Sequence, residues 1–302
     1  MLATQANFLE FISRNIQFRI PIYQRPYSWT IKQCEQLWND IINSALNKDI
    51  LGHFLGSIVY VHGGNYQVST ISKVVVIDGQ QRLTTITLLI KALANKMKES
   101  SVNEVESSDM LNDYYLINSR EKDKEFRAKI ILTKGDNEIL TDLIEDKEIA
   151  MANSYSKIIQ NYEFFKGQII KSQIDVNEIF DGIKKLFIVD ISLDREKDNP
   201  QLIFESLNST GLELSQADLI RNFVLMRLEP KEQEMIYDKY WYPMEKEFGQ
   251  KDYETYFNRF MRDYLTLELG RIPNIRDVYS EFKTYVSHKR DNILDTVKNI
   301  RQ

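Results

Sequence analysis

Residues 74–90 read VVVIDGQQRLTTITLLI. Four β-branched apolar residues (74–77) give way to Asp78, Gly79, Gln80, Gln81 and Arg82, and an apolar pattern then resumes. The spacing predicts a buried strand that feeds a helix over 82–98 through a short polar turn. A connection of that kind needs a Gly and a cap. Two carboxamides and a guanidinium are additional. A helix N-terminus presents backbone N–H groups without intrahelical acceptors and a partial positive charge. Gly79 just before it would let a ligand approach the backbone, as at phosphate sites. Arg82 offers a fork of donors for phosphate oxygens. Gln80 and Gln81 suit a water, a base edge or a sugar hydroxyl, and Asp78 suits a hydrated metal ion or an attacking water. Thr84 and Thr85 add hydroxyls in the first turn. Spacing alone fits an ordinary polar strand-to-helix turn equally well.

Working outward, HFLGSIVYV (53–61) has strand composition, and HGGNY between it and the 74–77 strand reads as a hairpin turn. Ile16, Phe18 and Ile20 alternate as in a strand, and residues 4–14 read as a short amphipathic helix. Thr30 and Gln33 have capping-box spacing before a stripe of Ile31, Cys34, Leu37, Trp38, Ile41 and Ala45. Residues 100–109 are polar without apolar period and are expected to be mobile. Further on, 129–133 reads as a short strand, 136–146 and 152–171 as helices, and LFIVDISL (186–193) as a strand. From Asn199–Pro200, a cap followed by Pro at the first helical position, the period is helical. The fold class is α+β: a core over 1–98, a helical insertion over 99–198 with a returning strand near 186–193, and a helical region over 199–302.

Two further clusters carry polar residues that packing does not require. In IPIYQRPYSWT (20–30), an extended chain would align Tyr23, Arg25, Tyr27 and Trp29 on one side, with Gln24 facing the other way. Such a strip suits stacking on bases; aromatic stripes are also common core. In FESLNSTGLELSQADLIRNFVLM (204–226), Asn208 and Gly211 suit a helix end, and Ser215 with Asp218 suits a helix start. Capping leaves Glu205, Asn208 and Arg221 unexplained as a set.

Composition bounds the remainder. The 302 residues are 43% hydrophobic, 27% charged and 11% aromatic, with a net charge of −5. Residues 1–96 carry 9 Lys/Arg against 5 Asp/Glu, and 97–150 carry 8 against 14, so a polyanion would prefer the first segment. A single cysteine, Cys34, forms no internal disulfide and suits a reducing cytoplasm. No apolar run approaches the ~20 residues of a membrane helix, so no membrane association is expected. His53, His62 and His288 lack metal-ligand spacing, and neither a nucleophile elbow nor a dinucleotide glycine fingerprint occurs.

In combination, IPIYQRPYSW, FLGSIV, VIDGQQRLTT and PQLIFESLNSTGLELSQADLIRN resemble the GmrSD-type domain of modification-dependent restriction and phage-defence proteins, over roughly residues 8–230. The resemblance implies a small ParB/sulfiredoxin-like mixed sheet with flanking helices, followed by a helical region. It implies binding and hydrolysis of an NTP with Mg²⁺ at residues 78–82, with Gly79, Thr84, Thr85, Asn208 and Arg221 around the nucleotide. The implied partners are modified DNA and a nuclease, in a C-terminal domain or a separate subunit; a homo-oligomer remains open. The Tyr23–Arg25 segment and the 204–221 segment would line the same cleft as residues 78–82. Arg82→Ala would abolish turnover and leave the fold intact. A rival reading is a non-catalytic DNA sensor in which the aromatic strip reads a modified base or the backbone and residues 78–82 grip a DNA phosphate.

Overall fold

In the computed structural model, residues 1–62, 71–100, 107–194, 197–208, 214–228, 230–248, 253–288 and 293–301 are described. The hairpin expected around 62–66 and most of the 100–109 segment lie outside them.

A six-stranded mixed sheet has the order β1-β6-β3-β4-β2-β5, from β1 (Leu2–Asn7), β2 (Ile16–Arg19), β3 (His53–His62), β4 (Ser72–Asp78), β5 (Ile130–Ile131) and β6 (Leu186–Leu193). β3 runs antiparallel to β4 and parallel to β6, while β2 runs parallel to β4 and β5. Around the sheet lie α1 (Phe8–Ser13), α2 (Ile31–Leu46), α3 (Gln80–Ser100), α4 (Ser108–Leu111), α5 (Lys124–Arg127), α6 (Lys134–Ile144), α7 (Lys157–Ser172) and α8 (Val176–Lys184). The helical remainder is α9 (Pro200–Asn208), α10 (Gln216–Leu225), α11 (Pro230–Ile236), α12 (Tyr242–Phe248), α13 (Tyr253–Leu269), α14 (Val278–His288) and α15 (Ile293–Arg301). Among the described residues no helix is long and apolar enough to cross a membrane.

α3 is the centre of the first unit. Leu83, Ile86, Leu88, Leu89, Ile90, Leu93 and Ala94 are fully buried, so the helix is apolar on every side. Its threonines remain compatible with burial because each hydroxyl donates to the preceding turn: Thr84 to Gln80 O, Thr85 to Gln81 O and Thr87 to Leu83 O. The buried Lys91 meets Ile144 O at 3.1 Å and Asp146 at 2.8 Å.

The chain divides into two compact units, Met1–Pro21 with Pro26–Pro200, and Ile22–Arg25 with Gln201–Gln302. Residues 99–198, set apart in the sequence as an insertion, share the first core: Leu111, Leu116, Phe165, Ile179 and Phe180 cluster with the strands and α3. The second unit has its own core around Trp241, Phe257, Met261 and Phe282, and Tyr23 is buried in it.

The helix expected over 4–14 is instead a strand and a shorter helix. Residues 2–7 pair antiparallel with β6, and Asn7 then caps α1 through Leu9 N and Glu10 N. The cause is tertiary pairing with a strand some 180 residues distant, which outweighs local period. The Thr30–Gln33 capping box forms, although Ile31 of the expected apolar stripe is exposed.

Candidate functional site

The β4 strand ends at Asp78, and α3 begins at Gln80, two residues earlier than its apolar period suggests. Gly79 makes the turn with φ +98°, in the region that favours glycine. A Cβ there would lie 3.0 Å from Ser57 O and from Ile58 Cγ1, so this backbone is pressed against β3. Leu83 N donates to Gly79 O at 3.0 Å, which makes Gly79 the residue in the cap position. It has no side chain with which to cap the N–H groups of the first turn.

Arg82 turns back beside this junction. Its Nη1 donates to Ser57 O at 2.7 Å and reaches Leu55 O at 3.5 Å, and its Nη2 meets Asp78 Oδ2 at 3.2 Å. Leu55 and Gly56 lie where the β3–β6 ladder is interrupted, between Phe54 and Ser57. Gly56, at φ +112°, leaves the necessary space: a Cβ there would lie 2.1 Å from Arg82 Nη1. Arg82 is therefore a half-buried group that braces β3 against α3, where the sequence suggested a guanidinium displayed to ligand. Gly56 and Ser57 escaped the sequence reading. A glycine inside a strand pattern signals a bulge or a close approach, and FLGS carried that signal.

Gln81 is also engaged. Its Oε1 accepts from Ser28 N at 2.8 Å and Trp29 N at 3.2 Å, and its Nε2 donates to Pro26 O at 3.4 Å. Gln80 is 8% exposed. Thr84 and Thr85 are buried behind the turn, with Thr85 Oγ1 also 2.7 Å from Tyr27 Oη.

The continuous aromatic strip expected over residues 23–29 does not form. Tyr27 is buried in the first core, where its hydroxyl meets Thr85 and accepts from Asn161 Nδ2 at 2.8 Å. Burial pushes that hydroxyl's pKa far above its ordinary value. Trp29 packs partly buried against the same core. Tyr23 and Gln24 are buried, Arg25 is half-buried, and all three belong to the second unit. The physical reason is chain path: residues 22–25 leave the first unit and 26–29 return to it, so alternation along one face does not apply.

In the second unit, Ser215 caps α10 through Asp218 N, as its spacing suggested. Arg221 is fully buried; its Nε donates to Tyr23 O at 3.0 Å, Nη2 meets Asp218 Oδ1 at 2.9 Å, and Nη1 pairs with Glu245. The Tyr23 carbonyl and α10 thus meet in the second core through a hydrogen bond from the buried Arg221. Glu205 accepts from Tyr279 Oη, Gln201 Nε2 and Lys283 Nζ, and these contacts keep its carboxyl ionised. The side chain of Asn208 and the position of Gly211 lie outside the described residues. A cavity of about 320 Å³ in the first unit is lined by Arg19, Glu125, Arg127, Asn137 and Thr141 among others, and by none of residues 78–82. Among the described residues no group of three or more His, Cys, Asp or Glu is placed to hold a metal ion.

An uncharacterised protein of Methanocaldococcus jannaschii is 22% identical over 258 residues, which cover 74% of this chain and 43% of that protein. The chain thus spans less than half the length of this relative. Residues 7–225 match the family described as GmrSD restriction endonuclease, N-terminal domain. The match takes in residues 78–82, the bulge at Gly56, the 20–30 run and Arg221, and the chain belongs to the GmrSD restriction endonuclease N-terminal domain family.

Proposed function

We propose that this chain binds and hydrolyses an NTP with Mg²⁺ at the start of α3, as the regulatory part of a modification-dependent DNA restriction system. The observation that supports this most is Gly79. It occupies the cap position of a buried 21-residue helix and brings no capping side chain to the N–H groups of the first turn, the groups that hold phosphate at a helix N-terminus. Asp78 adjoins it, half-buried at 27% side-chain exposure. One carboxylate together with phosphate oxygens and waters is the usual coordination of Mg²⁺ at nucleotide sites, so the residues fit the ion. When bound, Mg²⁺ would neutralise charge on the phosphate oxygens. In this reading Asp78 holds the ion or orients the attacking water, Gln80 positions that water, and Arg82 holds the Asp78 carboxylate in place.

Family membership supports a DNA-acting restriction or defence system, with the nuclease in another domain or subunit. The sensor reading joined an aromatic strip to a grip of residues 78–82 on a DNA phosphate, and the burial of Tyr23 and Tyr27 weighs against the strip. Phosphate release with each of the four NTPs and Mg²⁺, with and without DNA, tests the proposal. Release with at least one NTP is expected; no release under any condition would overturn it.

A further inference from the structure

Gln81 lies in the first turn of α3, where a ligand-facing carboxamide would be expected, yet its contacts are those of a clamp. A carboxamide has two acceptor and two donor positions. Both acceptor positions meet backbone N–H groups, of Ser28 and Trp29, and one donor meets Pro26 O. Residues 26–29 have no secondary structure, so their backbone polar groups need other partners when they lie against the core. Side chains distant in sequence supply them. Tyr27 N donates to Asp136 Oδ2 at 2.6 Å, Lys157 Nζ donates to Ser28 O at 3.1 Å, and Asn161 Nδ2 donates to Trp29 O at 2.9 Å. Four consecutive residues are thus fastened by α3, α6 and α7, and Gln81 alone makes three of the bonds. The preceding four, Ile22–Arg25, belong to the second unit, where Arg221 grips Tyr23 O.

We propose that Gln81 is a positioning residue: it acts through residues 26–29, holding them and the first turn of α3 in fixed register. This rests on the NTP-hydrolysis reading for its kinetic consequence and on geometry alone for the clamp. It gives Gln81 a role in the scaffold, distinct from the water-positioning role that the NTP-hydrolysis reading gives Gln80.

The test uses the full chain and two variants. Gln81→Leu keeps volume and loses all three bonds; Gln81→Glu keeps the acceptor that Ser28 N and Trp29 N require. Amide hydrogen exchange at Ser28 and Trp29 should accelerate about tenfold or more in Gln81→Leu and stay near parental in Gln81→Glu. Turnover should fall on the order of 10²-fold in Gln81→Leu, mainly in kcat, and be largely restored in Gln81→Glu. Unchanged exchange in Gln81→Leu would overturn the clamp. Lost turnover in Gln81→Glu with parental exchange would also overturn the proposal, because Gln81 would then act on the reactants. Should Gln81→Leu fail to fold, Gln81→Glu decides by itself: protection with turnover supports positioning, protection without turnover contradicts it. If the parent hydrolyses no NTP, the nucleotide reading fails separately, and the clamp stands or falls on exchange.

Discussion

Arg82 and Gly56 form one contact seen from two sides. The guanidinium occupies the space of a missing Cβ, and the positive φ of Gly56 turns two carbonyls toward it. Gly56→Ala should therefore destabilise the protein by about 1–3 kcal/mol, from the strained φ and the displaced guanidinium together. The sequence suggested that Arg82→Ala would spare stability; its bonds to Ser57 O and Asp78 now predict a loss of about 1.5–3 kcal/mol. Urea unfolding of both single variants and the double should show strong non-additivity, since each removes the same contact. Additive losses would mean the two residues act independently. A second residue-scale expectation concerns Lys129, buried with its Nζ on Ser13 O and Arg14 O. Desolvation lowers its pKa to about 8. Between that value and the ordinary lysine range the unfolded chain binds more protons than the native one, so stability should rise with pH from about 8 toward 10. Urea midpoints across that window should show the rise, and Lys129→Met should flatten it. An equal rise in the variant would assign the effect elsewhere.

Elements were legible in sequence where one local signal sufficed. β6 has the bounds its apolar run suggests, and α10 starts at the Ser215 cap. What escaped depends on distant partners. β1 is a strand because β6 pairs with it, and residues 26–29 are ordered because Asp136, Lys157 and Asn161 reach them. Of the candidate site, the junction of β4, Gly79 and α3 was readable from the polar break in an apolar run. The engagement of Gln81 and Arg82 was not, because nothing within the loop names Ser28 or Gly56. At α10, Arg221 lies fully buried between Asp218 and Glu245. Arg221→Met would take the guanidinium from both carboxylates in the second core, and a loss of about 3–5 kcal/mol is expected. Wild-type-like melting of that variant would contradict a structural role for the ion pair.

The whole molecule is two cores joined by a chain that crosses between them more than once. Tyr23 supplies both a buried ring and a carbonyl to the second core. A fragment of residues 201–302 should consequently unfold without cooperativity, and a synthetic peptide covering residues 20–27 should raise its helicity on addition. A cooperative, peptide-independent transition would show that residues 22–25 are dispensable. The proposed function concerns the other unit, with hydrolysis of an NTP where β4 meets α3. The direct measurement is Mg²⁺-dependent phosphate release by the full chain beside Asp78→Asn, which keeps the size of the side chain and removes its charge. The account predicts release in the parent that requires Mg²⁺, with a loss on the order of 10²-fold or more in the folded variant. Equal release from parent and variant, or none from the parent with any NTP, would contradict it.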